Sequence, residues 1–245
     1  MALALVLALP IGAALVTLGA GGSIVTVPVL IYAAGLDAHR AAGTSLVVVG
    51  LVALAGAIAQ RRAIAPRIGL LFGAAGMAGT WPGVWLNHRL PSVWVEASFA
   101  ATLLAVAALM QSPSRAEAGS RRAPLPALAA GLAVGVATGF FGVGGGFLIV
   151  PALSLLLGLG IAEAVATSLL VIALNSSAGL IGHVRYGAVD WRLGLALAGA
   201  ALVGGALTLP IAARLDADRL RRLFASALVA IGLAMGAQSA LALLA

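Results

Sequence analysis

Two stretches of the chain, residues 1–36 and 123–162, carry no charged side chain, and neither can be a single straight helix. At ~1.5 Å per residue each would run past roughly 50 Å, against a hydrocarbon core of about 30 Å. Each has a glycine cluster followed by a proline: Gly19, Gly21, Gly22 and Pro28 in the first, Gly142, Gly144, Gly145, Gly146 and Pro151 in the second. The expectation is a helix broken at these glycines, in the first run into segments near 2–18 and 23–36. The clusters are copies of one another. Residues 19–62 match 142–185 without a gap at an offset of 123, with 18 identities in 44 positions, among them Thr44/Thr167, Ser45/Ser168, Gly56/Gly179 and Arg62/Arg185. Such self-similarity reads as a duplicated half. A signal peptide does not account for the first run, which lacks a basic start and ends on a cluster that recurs mid-chain.

Composition fixes the class. With 62% hydrophobic and 9% charged residues the chain departs far from soluble domains, where charge is nearer a quarter. An all-α integral membrane protein is expected, multi-pass and in the cell inner (plasma) membrane, with the lipid bilayer as a partner. The 14 basic side chains are all Arg and fall almost entirely between apolar runs, the loop bias of membrane proteins, so they are assigned to topology and anionic headgroups and not to nucleic acid. The absence of cysteine removes disulfides and thiolate metal sites.

The remaining apolar segments are 41–60, 68–87 and 93–111, then 164–182, 193–213 and 223–245. The organisation expected is a first repeat over 1–111, a polar linker over 112–124 and a second repeat over 125–245, with about five apolar segments in each. If each broken run contributes two spans, or a hairpin that does not cross, the count per half is odd and the second copy is inverted. Arginine favours inversion: the loops 60–67, 112–124 and 214–222 then share one side with ten Arg, against four in 37–40, 87–92 and 183–192.

A break inside a bilayer leaves backbone amides that cannot face lipid. Proline clashes with the preceding turn, so either a new helix begins near Pro28 and Pro151 or its first turns are distorted. In both cases amides around Gly21, Gly22 and Ser23, and around Gly144, Gly145 and Gly146, lack helical partners, and glycine lets a ligand approach them closely. Two helix N-termini meeting at a repeat interface suit a small anion. The loops are not nucleotide sites, since no Lys-Ser/Thr follows and no strand precedes.

The paired Gly-x-Gly-Gly-[Gly/Ser]-x4-Pro-x-Leu motifs, each with Thr-Ser sixteen residues after its Pro, resemble the TauE/SafE family, the sulfite exporters also called toluene sulfonate uptake permeases. The resemblance covers nearly the whole chain. It implies secondary transport of sulfur-containing or related carboxylate anions without ATP hydrolysis. Ser23 stands where the second copy has Gly146, so the two sites are expected to be unequal.

Further candidates for contact with the anion are Thr44, Ser45, Thr167 and Ser168, for which helix back-bonding is the alternative. Asn175 and Ser176 lie at mid-depth, where the first half has Val52 and Ala53; an amide there either ties helices together or meets substrate. His39, His88 and His183 sit in or beside loops without metal-ligand spacing, so no metal site and no cofactor is expected. An enzyme would need a buried nucleophile and base, and no such cluster is apparent. A structural subunit would not explain a duplicated helix break. A homo-oligomer is compatible with the sequence. From these readings Gly145→Val and Gly22→Val are expected to leave a folded protein that does not transport.

Overall fold

The computed structural model describes residues 2–18, 21–111, 124–212, 226 and 229–237, and these contain helix and no strand. The 17 residues of α1 (Ala2–Leu18) precede the short α2 (Gly21–Pro28). Then come α3 (Ala38–Ala59), α4 (Pro66–Asn87) and α5 (Ser92–Gln111). The second half has α6 (Pro124–Phe141), the short α7 (Gly146–Pro151), α8 (Ile161–Arg185) and α9 (Trp191–Ala212). Of these, α3, α8 and the 191–208 part of α9 are long and apolar enough to cross a bilayer. The expected linker lies outside the described residues except for Pro124, as does the arginine-rich stretch 214–222.

The new helices do not begin at the prolines. They begin at the glycines, Gly21 and Gly146, and each proline is instead followed by a π-helical turn, Val29–Ala33 and Ala152–Leu156. Each proline is the last residue of its short α-helix, so its missing N–H and ring fall on the preceding turn, and the widening comes after it. Both π turns close in the same way. The Leu36 N–H donates to the Leu30 carbonyl at 3.0 Å and the Leu159 N–H to the Leu153 carbonyl at 3.1 Å, around Gly35 and Gly158, whose φ values are 73° and 65°. The closure resembles that of a glycine-terminated α-helix but spans one residue more, as the π turn before it requires.

Helix pairings recur with the halves exchanged: α4 lies on α6 as α9 lies on α1, and α4 on α8 as α9 on α3. The contacts coincide in detail. A Cβ on Gly79 of α4 would collide with the Leu132 carbonyl of α6, and a Cβ on Gly204 of α9 with the Leu9 carbonyl of α1. In the centre α3 and α8 cross antiparallel, with Gly43 beside His183, Gly50 beside Ser176 and Gly56 beside Leu169. Both are 72% buried over their apolar windows, against 39% for α9, so α3 and α8 form the shielded centre. Large side chains such as Leu70, Leu125 and Leu207 are left outside, on surfaces suited to lipid.

Glycine here buys backbone approach, since without a driving force between apolar helices in lipid, packing distance decides association. Gly135→Ala would drive its methyl into the Gly76 carbonyl and should abolish recovery of monodisperse protein. Gly199 has nothing within 4 Å of its Cβ position among the described residues, so Gly199→Ala should raise stability by up to about 1 kcal/mol through helix propensity. Thermal unfolding of both variants in detergent checks this pair.

Candidate functional site

The second glycine cluster forms a tight turn. Gly142, Gly144 and Gly145 have φ of 66°, 71° and 72°, the left-handed region that side chains disfavour. The Gly142 N–H donates to the Thr138 carbonyl at 2.9 Å, and the Leu148 and Ile149 amides donate to the Gly145 carbonyl at 2.9 and 3.0 Å. Gly145 is the N-cap of α7, with no side chain capping it. The two short helices α2 and α7, one from each half, touch one another.

A helix ending inside the protein leaves carbonyls to satisfy, and here the partners come from elsewhere. Behind the turn, the Gly139 carbonyl lies 3.2 Å from His183 Nε2, and the Phe140 carbonyl accepts from Asn87 Nδ2 at 2.7 Å. The Gly142 carbonyl accepts from the Ser45 hydroxyl, which also donates toward the Ala42 carbonyl at 2.9 Å. In the first half, Gln60 Nε2 donates to the Val16 carbonyl at 3.1 Å. Gln60 and Val16 are the counterparts of His183 and Gly139 at the offset of 123, so an amide does there what an imidazole does here.

Thr44 and Thr167 are matched as well. The Thr44 Oγ1 accepts from the Asp190 N–H and the Thr167 Oγ1 from the Ala65 N–H, both at 2.9 Å. Each threonine thus satisfies the backbone just ahead of the opposite half's helix, α9 or α4. Ser168 donates to the Val165 carbonyl at 2.7 Å. These hydroxyls hold one half to the other or to their own helix.

Asn175 and Ser176 are different. Both are fully buried, and Asn175 Nδ2 and Oδ1 and Ser176 Oγ have no hydrogen-bond partner among the described residues. The Asn175 amide lies against Gly76 of α4, where Nδ2 is 2.6 Å from the place a Cβ would take; Ser176 Oγ is 3.1 Å from the corresponding point on Gly144. Ser176 therefore faces the glycine turn and Asn175 the adjoining seam of α4, α6 and α8. The structure thus brings Ser176 to Gly144 and sets its neighbour Asn175 against Gly76. Gly21, Gly22 and Ser23 form the first turn of α2.

The expectation that Gly145→Val leaves the fold intact needs correcting. Its φ is positive and its Cβ would collide with Thr138 Oγ1, while one on Gly144 would meet Val49 at 2.6 Å. Valine there strains the backbone and the packing, so loss of transport would not identify an anion site.

The sequence reading kept the three histidines apart; the fold unites them. His88 Nε2 and His183 Nδ1 are 3.1 Å apart, His39 Nδ1 is 3.0 Å from Asn87 Oδ1, and the His39 and His88 rings stack at 5.3 Å. Tyr186 stacks on His88 at 4.1 Å. A signal for this was present in Gln60, whose counterpart is His183, but it needed the knowledge that both cap a broken helix. Burial lowers the pKa of His88, aided by the charge of His39 and opposed by that of Asp37. No group of three or more His, Cys, Asp or Glu able to hold a metal occurs among the described residues.

A family model described as sulfite exporter TauE/SafE matches residues 3–235. The chain belongs to that family. A protein of Xylella fastidiosa strain 9a5c named "Probable membrane transporter protein" is 31% identical over 235 residues, covering 91% of this chain and 90% of the relative. "Probable membrane transporter protein YunE" of Bacillus subtilis is 28% identical over 246 residues, covering 88% and 89%. No solved structure matches the chain. TauE/SafE is a transporter family, so membrane transport is the general class of activity to which this chain is assigned.

Within this TauE/SafE chain the threonine ties make a direct prediction. Thr44→Val and Thr167→Val each leave a backbone N–H without its acceptor, and each should lower stability by about 1–3 kcal/mol. Denaturant unfolding in detergent should show this loss, with Thr→Ser at the same positions restoring most of it.

Proposed function

We propose that the chain is a secondary transporter of small anions, such as sulfite, organosulfonates or related carboxylates, which bind beside the glycine turn at Gly144 and move by alternating access. The observation that carries this reading is the pair Asn175 and Ser176, adjacent on α8, fully buried and without hydrogen-bond partners among the described residues, with Ser176 set against the turn and Asn175 against Gly76. Leaving a buried polar group unmatched costs about 1–3 kcal/mol, and the first half avoids that cost with Val52 and Ala53 at the same positions. An oxyanion supplies acceptors for the Asn175 amide and the Ser176 hydroxyl, and the uncapped start of α7 adds amide dipoles of favourable sign. Thr44, Ser45 and Thr167 act in this reading as ties between the halves, while Gly21, Gly22 and Ser23 build the matching turn that meets α7 through α2.

Inverted repeats are part of the proposal. Their support is that residues of the loops 37–40, 87–92 and 183–192 lie together around His39, His88 and Tyr186, as the arginine count required. In a parallel arrangement the last of these would lie on the opposite face. At ~1.5 Å per residue, the 18 residues of α6 reach about 27 Å, and the chain then returns through α7 to begin α8 near Ala65, on the other face. The broken run then counts twice, which makes the number of spans per half odd. Alternating access follows by rocking the two halves about the shared centre of α3 and α8, the usual use of such repeats.

The double variant Asn175→Val/Ser176→Ala tests the site by giving the second half the side chains of the first. In proteoliposomes it should lose uptake of labelled sulfite and sulfonates, while its thermal stability in detergent stays at or above that of the wild type. Reduced stability with undiminished flux would make the two residues helix glue and remove the site.

A further inference from the structure

The histidine chain is placed where a transported proton would be useful, and its hydrogen bonds fix which nitrogen carries hydrogen. The Gly139 carbonyl can only accept, so His183 Nε2 carries the proton and its Nδ1 is bare when the ring is neutral. That bare nitrogen accepts from His88 Nε2–H, which leaves His88 Nδ1 bare in turn. Asn87 gives its Nδ2 hydrogen to Phe140, so its Oδ1 accepts from His39 Nδ1–H. His39 is thereby held outside the path, with its ring against His88. His88 is partly exposed and His183 fully buried. The two imidazoles lead from the aqueous face to a carbonyl three residues short of Gly142.

We propose that His88 and His183 form a proton path and that the proton held on His183 is the co-substrate of the anion bound at the neighbouring glycine turn. The step balances without any other reactant. A proton from water binds His88 Nδ1, the His88 Nε2–H crosses the 3.1 Å contact to His183 Nδ1, and His88 is left neutral as its other tautomer. His183 is then a cation donating from both nitrogens, at the C-terminal end of α6 where the helix dipole favours positive charge. An anion at the turn favours the same charge, so proton and anion bind in concert. The titratable groups facing the pair are His39 and Asp37 at the start of α3 and Tyr186 after α8, the last stacked on His88. Arg89 and Arg185 lie over Trp85 and Trp81. Burial works against charge on both rings, so the path stands empty at neutral pH and fills only when that face is acid and an anion sits at the turn.

This inference rests on the anion-transport reading, and the experiment separates the two. Purified full-length protein in liposomes containing a trapped pH dye is given an inward gradient of methanesulfonate, a strong-acid anion that carries no proton of its own. Labelled methanesulfonate exchange is measured in parallel. Wild type should acidify the lumen during net uptake. His183→Gln, which can cap Gly139 as Gln60 caps Val16, should keep exchange and lose acidification; His88→Gln, nearer the surface, should do the same. Acidification that survives in both variants overturns the proposal, as does wild-type uptake without acidification, which leaves anion transport standing. Loss of exchange in folded His183→Gln would place His183 in the anion site and also overturn it. Wild-type vesicles that move neither methanesulfonate nor sulfite would refute the transport reading and this inference with it.

Discussion

A backbone polar group inside a membrane must find a partner within the protein, because lipid offers none and each failure costs several kcal/mol. That requirement organises the chain. Breaking α6 at Gly142 frees carbonyls, and the side chains that take them, Ser45, Asn87 and His183, come from α3, α4 and α8. Starting α4 and α9 exposes amides, and Thr167 and Thr44 take those at Ala65 and Asp190 from the other half. Each interruption is thus a reason for the halves to stay together. The antiparallel centre of α3 and α8 is where these obligations meet.

The two copies do not finish the task identically. Gln60 caps Val16 with an amide that has no charged form at any physiological pH, whereas His183 caps Gly139 with a ring that can accept a second proton. At mid-depth the first half has Val52 and Ala53, and the second Asn175 and Ser176, left without partners. On the proposed reading the shared pattern of the halves supplies the scaffold, and Asn175, Ser176 and His183 in the second supply groups able to recognise charge.

The breaks were legible in the sequence because an uncharged run longer than a membrane is thick has to be interrupted, and because the same glycines recur in register. Asn175 was legible as an amide in an apolar helix, but its place against Gly76 depends on a packing that no periodicity reports. Between a helix beginning near Pro151 and one whose first turns are distorted the sequence could not choose; the structure starts α7 at Gly146 and follows its proline with a π turn. The histidines were missed for a different reason: positions 39, 88 and 183 share neither spacing nor an element, and only the return of three loops to one face brings them together. Thr44 and Thr167 were found but read toward a ligand, because recurrence marks a symmetric obligation without saying whether backbone or substrate fulfils it.

The claim at the centre of this account is that the unpaired groups of Asn175 and Ser176 are there for an oxyanion. Selenite, the heavier analogue of sulfite, permits a direct test by anomalous diffraction from crystals of the protein grown with it. The account predicts a selenium peak within hydrogen-bond distance of Asn175 Nδ2 and Ser176 Oγ, absent in Asn175→Val/Ser176→Ala crystals. Asn175 and Ser176 bonded only to protein groups, with selenite bound elsewhere or not at all, would contradict it.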